Sequence, residues 1–464
     1  MQIVSLGTER QIGGNCFLVQ FNNESKYFLD CGVGLLKTQE LEGESFWDIY
    51  KYPKQLLVDF DFYPLLPFQI DKFNLTNSSA TLLISHPHTD HYMGFPVIAK
   101  YVKNIIAPKS VTDYFLPKIL DNLSPKGEKE KEYEFDFETV KNVLSTANTL
   151  KFKNKSTKIG NVRAIQVDHS TIPSFVYLIQ EGDERLIYTG DFRGRLFFSG
   201  KGQLPTHGAI NELKKWVGKT NVLICEGTNL EPVSTALTDE EACKIIEKNL
   251  KEIKGGLGIL IRSGDYSLAI KLFEMIKKYE GREFFVVKNY YDWILGDEER
   301  PHEQKKDIIP QELITLLQNL FQSEKVKYAN ESKDILNIKS PVLISTTYPN
   351  EITEFCKIIR YSFDRVFSKC LIVVNLSMSY KDYWIRRKEK LYELLKLRKI
   401  LLEPYYTSGH ATISDIIDLI QGLKPKTVIP THSFNPEYFH TLIREANLDS
   451  GIVTTPYRGN IISV

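Results

Sequence analysis

The sequence contains a dense cluster of metal-binding side chains directly after a predicted buried strand. Residues 85–91 read Ser-His-Pro-His-Thr-Asp-His, so three histidines and one aspartate fall within six residues of a chain that has nine histidines in total. Imidazole and carboxylate groups suit zinc, and a loop that leaves a strand can direct its side chains toward one or two ions. We expect His86 and His88 to point one way. Asp90 and His91 then point another way, as two neighbouring ions would require.

The pattern of predicted elements changes near the middle of the chain. Up to about residue 210 it indicates mixed β-structure with helices: a strand meander, a buried strand at 81–85 and a hairpin around Gly182. From there to about residue 400, strands alternate with amphipathic helices, which predicts a parallel sheet covered by helices. We therefore expect a domain boundary between residues 200 and 230. Segments 38–77 and 126–138 are interpreted as insertions.

Composition argues against several classes of protein. The 59 basic and 58 acidic side chains leave a formal charge of +1, which argues against non-specific coating of nucleic acid along a basic face. The six cysteines include no CxxC pair, so neither a disulfide framework nor a thiolate zinc knuckle is expected. No secretory signal is visible, and no apolar run approaches the roughly 20 residues of a membrane span. A reduced, cytoplasmic protein that does not enter a membrane is the expectation.

The His-x-His-x-Asp-His motif resembles the signature of the metallo-β-lactamase fold superfamily. The preceding segments QIGGNCFLVQ and FLDCG resemble its opening strands, with Asp30 as a turn-stabilising or ligand-supporting residue. Taken alone, His169 in VDHS could be a metal ligand or a core histidine at a strand end. Within the resemblance it corresponds to the third ligand of the first metal. Asp191 in YTGDFRGR corresponds to the carboxylate that bridges both metals.

Three later motifs resemble the β-CASP group, nucleases in which a second domain is inserted into the metallo-β-lactamase fold. Glu226 follows a buried strand in CEGTN, His410 lies in SGHAT and His432 in VIPTHS. The resemblance covers essentially the whole chain and extends to bacterial ribonuclease J and the endonuclease of messenger-RNA 3′-end processing.

The resemblance implies an α/β fold, an αββα metallo-β-lactamase sandwich with an inserted α/β β-CASP domain whose sheet is mainly parallel. Residues 1–220 would form the N-terminal part of the metallo-β-lactamase domain and 221–400 the inserted domain. Residues 401–464 would complete the metallo-β-lactamase domain.

The resemblance also implies two zinc ions per chain and a role for each motif residue. The first ion would be held by His86, His88 and His169, the second by Asp90, His91 and His432, with Asp191 between them. The implied reaction is attack of a metal-bridging hydroxide on the scissile phosphate, with Asp90 counted among the catalytic residues.

Further residues are expected to act on the substrate. His410 would contact the scissile phosphate or help to protonate the leaving group, with its imidazole oriented by Glu226. The main chain of Ser408 and Gly409 could donate hydrogen bonds to phosphate oxygens. Two alternatives stay open: Glu226 caps the following turn, and the Ser408-Gly409 pair is only a helix N-cap.

His432 also indicates the nucleic acid. In the β-CASP group a histidine at the last motif is typical of the RNA-processing branch, whereas the DNA-repair branch tends to have an aliphatic residue there. Single-stranded RNA is therefore the expected partner. Arg193 and Arg195, near the bridging aspartate, either contact phosphate or form structural ion pairs.

Two other segments leave their function open. Segment 380–399 has a charge of 8 − 3 = +5, and it either lines a channel for a single strand or is a solvated amphipathic helix. Nine aromatic residues between Phe46 and Phe73 either stack on bases or pack a lid onto their own domain. His207, His302 and His440 match no motif and are expected at the surface or in packing.

Three alternative functions remain at this point: a DNA nuclease of the same fold, a small-molecule ester or thioester metallo-hydrolase, and a non-enzymatic scaffold. The large inserted domain argues against the small-molecule hydrolase. The complete ligand set argues against the scaffold. With 464 − 432 = 32 residues after His432, a minimal catalytic core is expected, and assembly into a homodimer is an open alternative.

Overall fold

A computed structural model describes most of the chain and divides it into two compact units. The first unit is Met1–Pro232 with His410–Val464, and the second is Val233–Gly409. The described residues are 1–7, 10, 12–34, 73–123, 136–151, 156–171, 173–193, 213, 215, 219–230, 237–261, 265–287, 315, 319, 326–329, 331, 334–335, 337–346, 349–361, 367–375, 389–407, 409–445 and 452–464. Across these residues, none of the helices has both the length and the apolar character that a membrane span requires.

The strands of the first unit form two sheets. They are β1 (Gln2–Ser5), β2 (Phe17–Gln20), β3 (Lys26–Leu29), β4 (Ala80–Leu83), β5 (Val102–Pro108), β6 (Asn148–Leu150), β7 (Thr157–Ile159), β8 (Val162–Val167), β9 (Ser174–Glu181), β10 (Glu184–Tyr188), β11 (Val222–Glu226), β18 (Thr427–Thr431), β19 (Ile452–Val453) and β20 (Ile461–Ser463). One seven-stranded sheet has the order β20-β1-β2-β3-β4-β5-β6. The other has the order β19-β18-β11-β10-β9-β8-β7.

Helices of the first unit cover the outer faces of its two sheets, and further helices belong to the second unit. On the first sheet they are α1 (Thr89–Tyr92), α2 (Phe95–Ile98), α3 (Leu116–Leu123) and α4 (Phe137–Leu144), joined by a 3-10 turn at Ala99–Tyr101 and a π-helical turn at Val111–Phe115. The second unit contributes α5 (Asp239–Glu252), α6 (Tyr266–Lys278), α7 (Pro349–Tyr361) and α8 (Glu389–Leu397). On the second sheet of the first unit lie α9 (Ile413–Leu423) and α10 (Tyr438–Glu445).

The alternation of side chains along each strand builds the layers of the first unit. In β9, Val176 and Leu178 join the core under the helices, whereas Phe175, Tyr177 and Ile179 join the core between the two sheets. Successive strand residues face opposite sides of a sheet, so an apolar run of this kind fits a sheet buried on both faces. The predicted αββα sandwich is confirmed.

The second unit is built on a parallel sheet. Its strands are β12 (Gly256–Ile261), β13 (Phe284–Val287), β14 (Val326–Ala329), β15 (Val342–Thr346), β16 (Phe367–Asn375) and β17 (Leu401–Thr407). They have the order β14-β13-β15-β12-β16-β17, and every described pair is parallel. The helix α5 begins with a capping box in which Thr238 and Glu241 exchange hydrogen bonds. The predicted parallel sheet with covering helices is confirmed.

The units divide at different residues from the predicted domains. The prediction began the insertion at residue 221 and ended it at 400, whereas the second unit runs from Val233 to Gly409. The reason is strand pairing, which is not visible in a local pattern. Strand β11 lies between β10 and β18 in the first unit, and β17 pairs with β16 in the second unit.

Several predicted features lie partly or wholly outside the described residues. Of segment 380–399, the structure describes residues 389–399, which include helix α8. Of the aromatic insertion it describes residues 73–77, and Phe73 is fully buried in the core beneath the first sheet. For Phe73, of the two alternatives, this burial is packing onto its own domain and not stacking on bases. His207 and His302 lie outside the described residues, and His440 is exposed on α10.

Candidate metal centre

Four of the predicted site residues lie at one edge of the second sheet. Strands β8 and β10 are both antiparallel to β9, and β11 and β18 are parallel to β10, so these four strands run in one direction. His169, Asp191 and His432 follow the ends of β8, β10 and β18, and Glu226 is the last residue of β11. Because carboxyl ends of strands with one direction meet at one edge, side chains far apart in sequence come together there.

The loop after β4 changes backbone conformation within the motif. His88 is extended (φ −81°, ψ 142°) and stands as the N-cap of α1, the short helix that carries Asp90 and His91. The backbone therefore changes from extended to helical at His88. The His86 ring lies closer to the His91 ring, with centroids 3.9 Å apart, than to the His88 ring at 4.7 Å. That His86 and His88 point one way and Asp90 and His91 another stays a prediction.

The first group of donors consists of three histidines and one aspartate. His88 Nδ1 lies 2.9 Å from His86 Nε2 and 3.2 Å from His169 Nε2. Asp191 Oδ2 lies 3.6 Å from His86 Nε2 and 3.9 Å from His169 Nε2. One donor atom from each of the four residues falls within 4.8 Å of all the others, which is close enough for a single ion to contact them all.

The second group adjoins the same oxygen of Asp191. Asp191 Oδ2 lies 3.1 Å from His91 Nε2 and 3.4 Å from His432 Nε2. Asp90 Oδ2 lies 3.2 Å from His432 Nε2 and 3.5 Å from His91 Nε2. Asp191 is therefore a neighbour of both groups, which is the position that the resemblance implied for a bridging carboxylate.

Asp30 contacts the second group through His91. Its Oδ2 lies 2.6 Å from His91 Nδ1, and accepts from the hydroxyls of Ser85 at 2.7 Å and Tyr188 at 2.5 Å. Its Oδ1 accepts from the backbone N–H of Ser85 at 2.6 Å. A carboxylate can only accept, so His91 Nδ1 carries a proton toward Asp30, and Nε2 is the nitrogen that faces Asp90 and Asp191.

The buried charges put these donors in the forms that bind metal. Burial lowers the pKa of His86 and His169, and the neighbouring imidazoles lower it further. Burial alone would raise the pKa of Asp191, but His432, His91 and His410 outweigh it and hold that pKa well below its ordinary value. Neutral imidazoles and ionised carboxylates are the states in which these side chains act as ligands.

The environment of His91 also favours a positive charge. Burial would lower the pKa of His91, but Asp191, Asp90 and Asp30 outweigh it and raise the pKa well above the ordinary value. Among the described residues, His91 Nε2 and both carboxylate oxygens of Asp191 are buried and accept or donate no hydrogen bond. Buried polar atoms normally have partners, so this histidine and carboxylate donor set fits divalent metal ions.

Glu226 lies behind the second group and receives several hydrogen bonds. Its Oε1 accepts from the backbone N–H of Phe192 at 2.9 Å and of Ala411 at 3.2 Å. Its Oε2 lies 3.0 Å from His410 Nδ1 and accepts from the backbone N–H of Thr228 at 3.4 Å. Contacts of both predicted kinds are therefore present: one orients His410, and another caps the following turn.

His410 is a more accessible neighbour of Asp191 than His432 is. Its side chain is 15% exposed, against 1% for His432, and its Nδ1 lies 3.7 Å from Asp191 Oδ2. Burial would lower the pKa of His410, but the carboxylates of Glu226 and Asp191 outweigh it and raise that pKa. A protonated imidazole at this position can donate a hydrogen bond or a proton to an anionic ligand.

The structure gives less information about the four residues predicted to contact the substrate. Arg193 is buried, and its backbone N–H donates to the carbonyl of Asp168 at 2.6 Å. Gly409 is buried and belongs to the second unit. Arg195 and Ser408 lie outside the described residues. Their proposed contacts with phosphate stay predictions.

Sequence reasoning missed one residue at the centre. The Thr228 hydroxyl contacts Glu226, His410 and His432. The signal was present, since Thr228 follows Glu226 by two positions in CEGTN, but a threonine after a strand is common enough to pass as a turn residue.

Comparison with known proteins finds one domain family and two similar proteins. Residues 399–435, which include His410 and His432, match the domain family described as RMMBL, the Zn-dependent metallo-hydrolase RNA specificity domain. The chain is similar to ribonuclease J of Mycoplasma pneumoniae (strain ATCC 29342 / M129 / Subtype 1), with 24% identity over 257 residues. It is also similar to ribonuclease J of Mycoplasma genitalium (strain ATCC 33530 / DSM 19775 / NCTC 10195 / G37), with 23% identity over 256 residues. Each match covers 55% of this chain and 38% of the relative, so it spans less than half of the relative's length.

A solved structure shares the fold over nearly the whole chain. It is the crystal structure of a protein of unknown function from Enterococcus faecalis V583, with a TM-score of 0.60, 17% identity and 99% coverage of both chains. This likeness shows the fold, and the domain match with the two relatives confirms the resemblance predicted from the motifs, to metallo-β-lactamase fold, β-CASP ribonuclease-like proteins.

Proposed function

We propose that this protein is a zinc-dependent ribonuclease that hydrolyses phosphodiester bonds of single-stranded RNA. The observation that carries the proposal is the position of Asp191, whose Oδ2 lies within 3.9 Å of histidines from both donor groups. Three observations support RNA as the substrate: the match of residues 399–435 to an RNA specificity domain, the name of the two relatives, and His432 at the last motif.

The proposed ligands are the seven residues predicted from the motifs. One ion would be held by His86, His88 and His169, the other by Asp90, His91 and His432, with Asp191 shared. Zinc bound at these positions supplies Lewis-acid stabilisation of phosphate charge and lowers the pKa of water. The protein preorganises these ligands, because Asp30 fixes the orientation of the His91 ring and burial of the side chains excludes competing water.

His410 is proposed to act on the phosphate or on the leaving oxygen. Glu226 Oε2 accepts from His410 Nδ1, which sets the orientation of the ring and favours its protonated form. The opposite nitrogen, Nε2, then carries a proton that can move to the leaving oxygen or hold a phosphate oxygen. Glu226 is a positioning residue in this scheme, since it acts through His410.

The test measures metal content and substrate preference in the same preparation. Purified protein is expected to contain close to two zinc ions per chain by elemental analysis. It is expected to cleave single-stranded RNA faster than single-stranded DNA of the same sequence. RNA labelled at the 5′ end, with 5′-hydroxyl and 5′-monophosphate forms compared, will distinguish mononucleotide release from internal cleavage.

A matched pair of variants ties the activity to the centre. His86→Ala removes a ligand of the first group, so zinc content and RNA cleavage are both expected to fall while RNA binding persists. His440→Ala removes an exposed histidine of α10 and serves as the control. Degradation of DNA with intact RNA would replace the proposal with a DNA nuclease. Cleavage of thioesters or cyclic esters alone would replace it with a small-molecule hydrolase, and unchanged behaviour of His86→Ala would favour a scaffold.

A further inference from the structure

Thr228 occupies the space between three residues of the candidate centre. Its Oγ1 lies 2.6 Å from Glu226 Oε2, 2.7 Å from His432 Nδ1 and 3.0 Å from His410 Nδ1. The residue is 2% exposed, so solvent does not compete for these contacts. The Thr228 hydroxyl therefore contacts His432 after β18, Glu226 at the end of β11, and His410, the histidine predicted to contact the substrate.

The number of protons available decides the direction of each hydrogen bond. A threonine hydroxyl has one hydrogen to donate and two lone pairs, and a carboxylate has none to donate. The Thr228 hydroxyl therefore donates along the short contact to Glu226. One lone pair then faces Nδ1 of His432, which must carry the hydrogen of that contact. The single hydrogen on His410 Nδ1 is shared between Glu226 Oε2 and the Thr228 hydroxyl, each 3.0 Å away.

Counting hydrogens and lone pairs also bears on a third group of side chains that could by type bind a metal ion. Donor atoms of Asp191, Glu226, His410 and His432 fall within 4.8 Å of one another, which by distance alone could hold a further ion. Both oxygens of Glu226 already accept hydrogen bonds, and the Thr228 hydroxyl contacts three of the four residues. This grouping is a hydrogen-bond relay and is not a metal site.

We propose that Thr228 is a positioning residue that holds His432 in the tautomer with hydrogen on Nδ1, so that the His432 Nε2 lone pair faces Asp90 and Asp191. Glu226 then orients His410 by direct contact and His432 through the Thr228 hydroxyl. This inference rests on the proposed function, since it gives a role in ligand alignment at the second metal position.

The two histidines of that position are therefore oriented by different groups. His91 donates directly to a carboxylate, that of Asp30. His432 donates to a neutral hydroxyl that a carboxylate orients in turn. His432 also has a left-handed backbone conformation (φ 52°), which a non-glycine residue adopts at a cost and which the surrounding contacts must maintain.

The test replaces the Thr228 hydroxyl while keeping the shape of the side chain. Thr228→Val is nearly isosteric and removes the donor and both acceptors, whereas Thr228→Ser keeps the hydroxyl. Thr112→Val is the matched control, because Thr112 is 6% exposed and its hydroxyl contacts Asp113 in the π-helical turn and Thr149 of β6, none of which is a predicted site residue. Thermal unfolding of all three variants checks that each is folded.

Zinc affinity is the primary readout, measured by competition with a chelator. We expect Thr228→Val to weaken binding of one of the two zinc ions, the one at the position of Asp90, His91 and His432, by about 10- to 100-fold, the usual loss when the partner of a ligand is removed. Thr228→Ser and Thr112→Val should keep the affinity of the natural protein. In cobalt(II)-substituted protein, Thr228→Val should lose one hyperfine-shifted, exchangeable N–H proton signal, that of His432 Nδ1–H.

The outcomes separate this inference from the proposed function. Unchanged metal affinity and an unchanged set of N–H signals in folded Thr228→Val would overturn the role of Thr228, whatever the enzyme cleaves. Absence of RNA cleavage by the natural protein would overturn the proposed function. The metal measurements would still decide the role of Thr228, because they need no substrate. Equal losses in the valine and serine variants would indicate packing and would also reject the proposal.

Discussion

Glu226 Oε2 lies 3.0 Å from Nδ1 of His410, 184 residues further along the chain. The second unit, Val233–Gly409, occupies almost all of that interval. Both residues nevertheless belong to the first unit, which keeps the contact within one folded body. A buried carboxylate that receives hydrogen bonds from an imidazole and from backbone N–H groups defines a fixed position for that imidazole.

The first prediction concerns Glu226→Gln. The amide keeps the volume but removes the negative charge that favours a protonated His410, and it places a donor where only acceptors fit. We expect kcat for RNA cleavage to fall by about 10²-fold or more, within the range attributed to general acid–base groups, with a smaller change in KM. Steady-state kinetics measures both values. An unchanged kcat in folded protein would contradict the role of Glu226.

The second prediction concerns the shared carboxylate, in the variant Asp191→Asn. Asp191 is a neighbour of both donor groups, so its loss should weaken both ions, each by more than the roughly 10-fold that removal of an outer partner causes. Asp183→Asn, at an exposed hairpin position, is the control. Titration with zinc after chelator treatment provides the measurement. Loss of a single ion, with the other unaffected, would show that Asp191 does not bridge.

The third prediction compares two tyrosines in similar settings. Tyr188 donates to Asp30 and Tyr27 donates to Glu181, each at 2.5 Å and each buried. Tyr188→Phe and Tyr27→Phe should each lower the free energy of unfolding by about 1–3 kcal/mol, because each leaves a buried carboxylate with one donor fewer. Denaturant titration measures this. Only Tyr188→Phe should also weaken zinc binding, since Asp30 orients His91; an equal effect of both variants on zinc would reject that connection.

The fourth prediction concerns the close approach of Gly32 to the motif loop. A Cβ atom at this position would lie 1.4 Å from the carbonyl oxygen of Asp90, so Gly32→Ala must displace the start of α1. We expect zinc content to fall severely in any protein that folds. Gly182→Ala is the control: it has open space and φ +59°, and should cost only about 1–2 kcal/mol of stability. Full zinc content in Gly32→Ala would contradict the prediction.

Much of the site was predictable because its strongest signals are local. The donors of the 86–91 motif are close in sequence, so their pattern is visible without any knowledge of strand pairing. The recognition of His169, Asp191 and His432 depended on resemblance, since each is a lone residue after a strand. Thr228 was missed because nothing in CEGTN indicates which side chains from other strands will face its hydroxyl.

The sequence by itself determined the layers and the donors. Alternation of strands with helices is a property of short segments, and it indicated the parallel sheet, whereas the sandwich was implied by the resemblance of the motifs. Residue type in the motifs indicated binding of divalent metal. Only the tertiary structure decided that β11 belongs to the first unit and β17 to the second, that Asp191 adjoins both donor groups, and that one threonine hydroxyl faces two histidines. These features depend on which strands pair and where their ends meet, and such pairings join residues hundreds of positions apart.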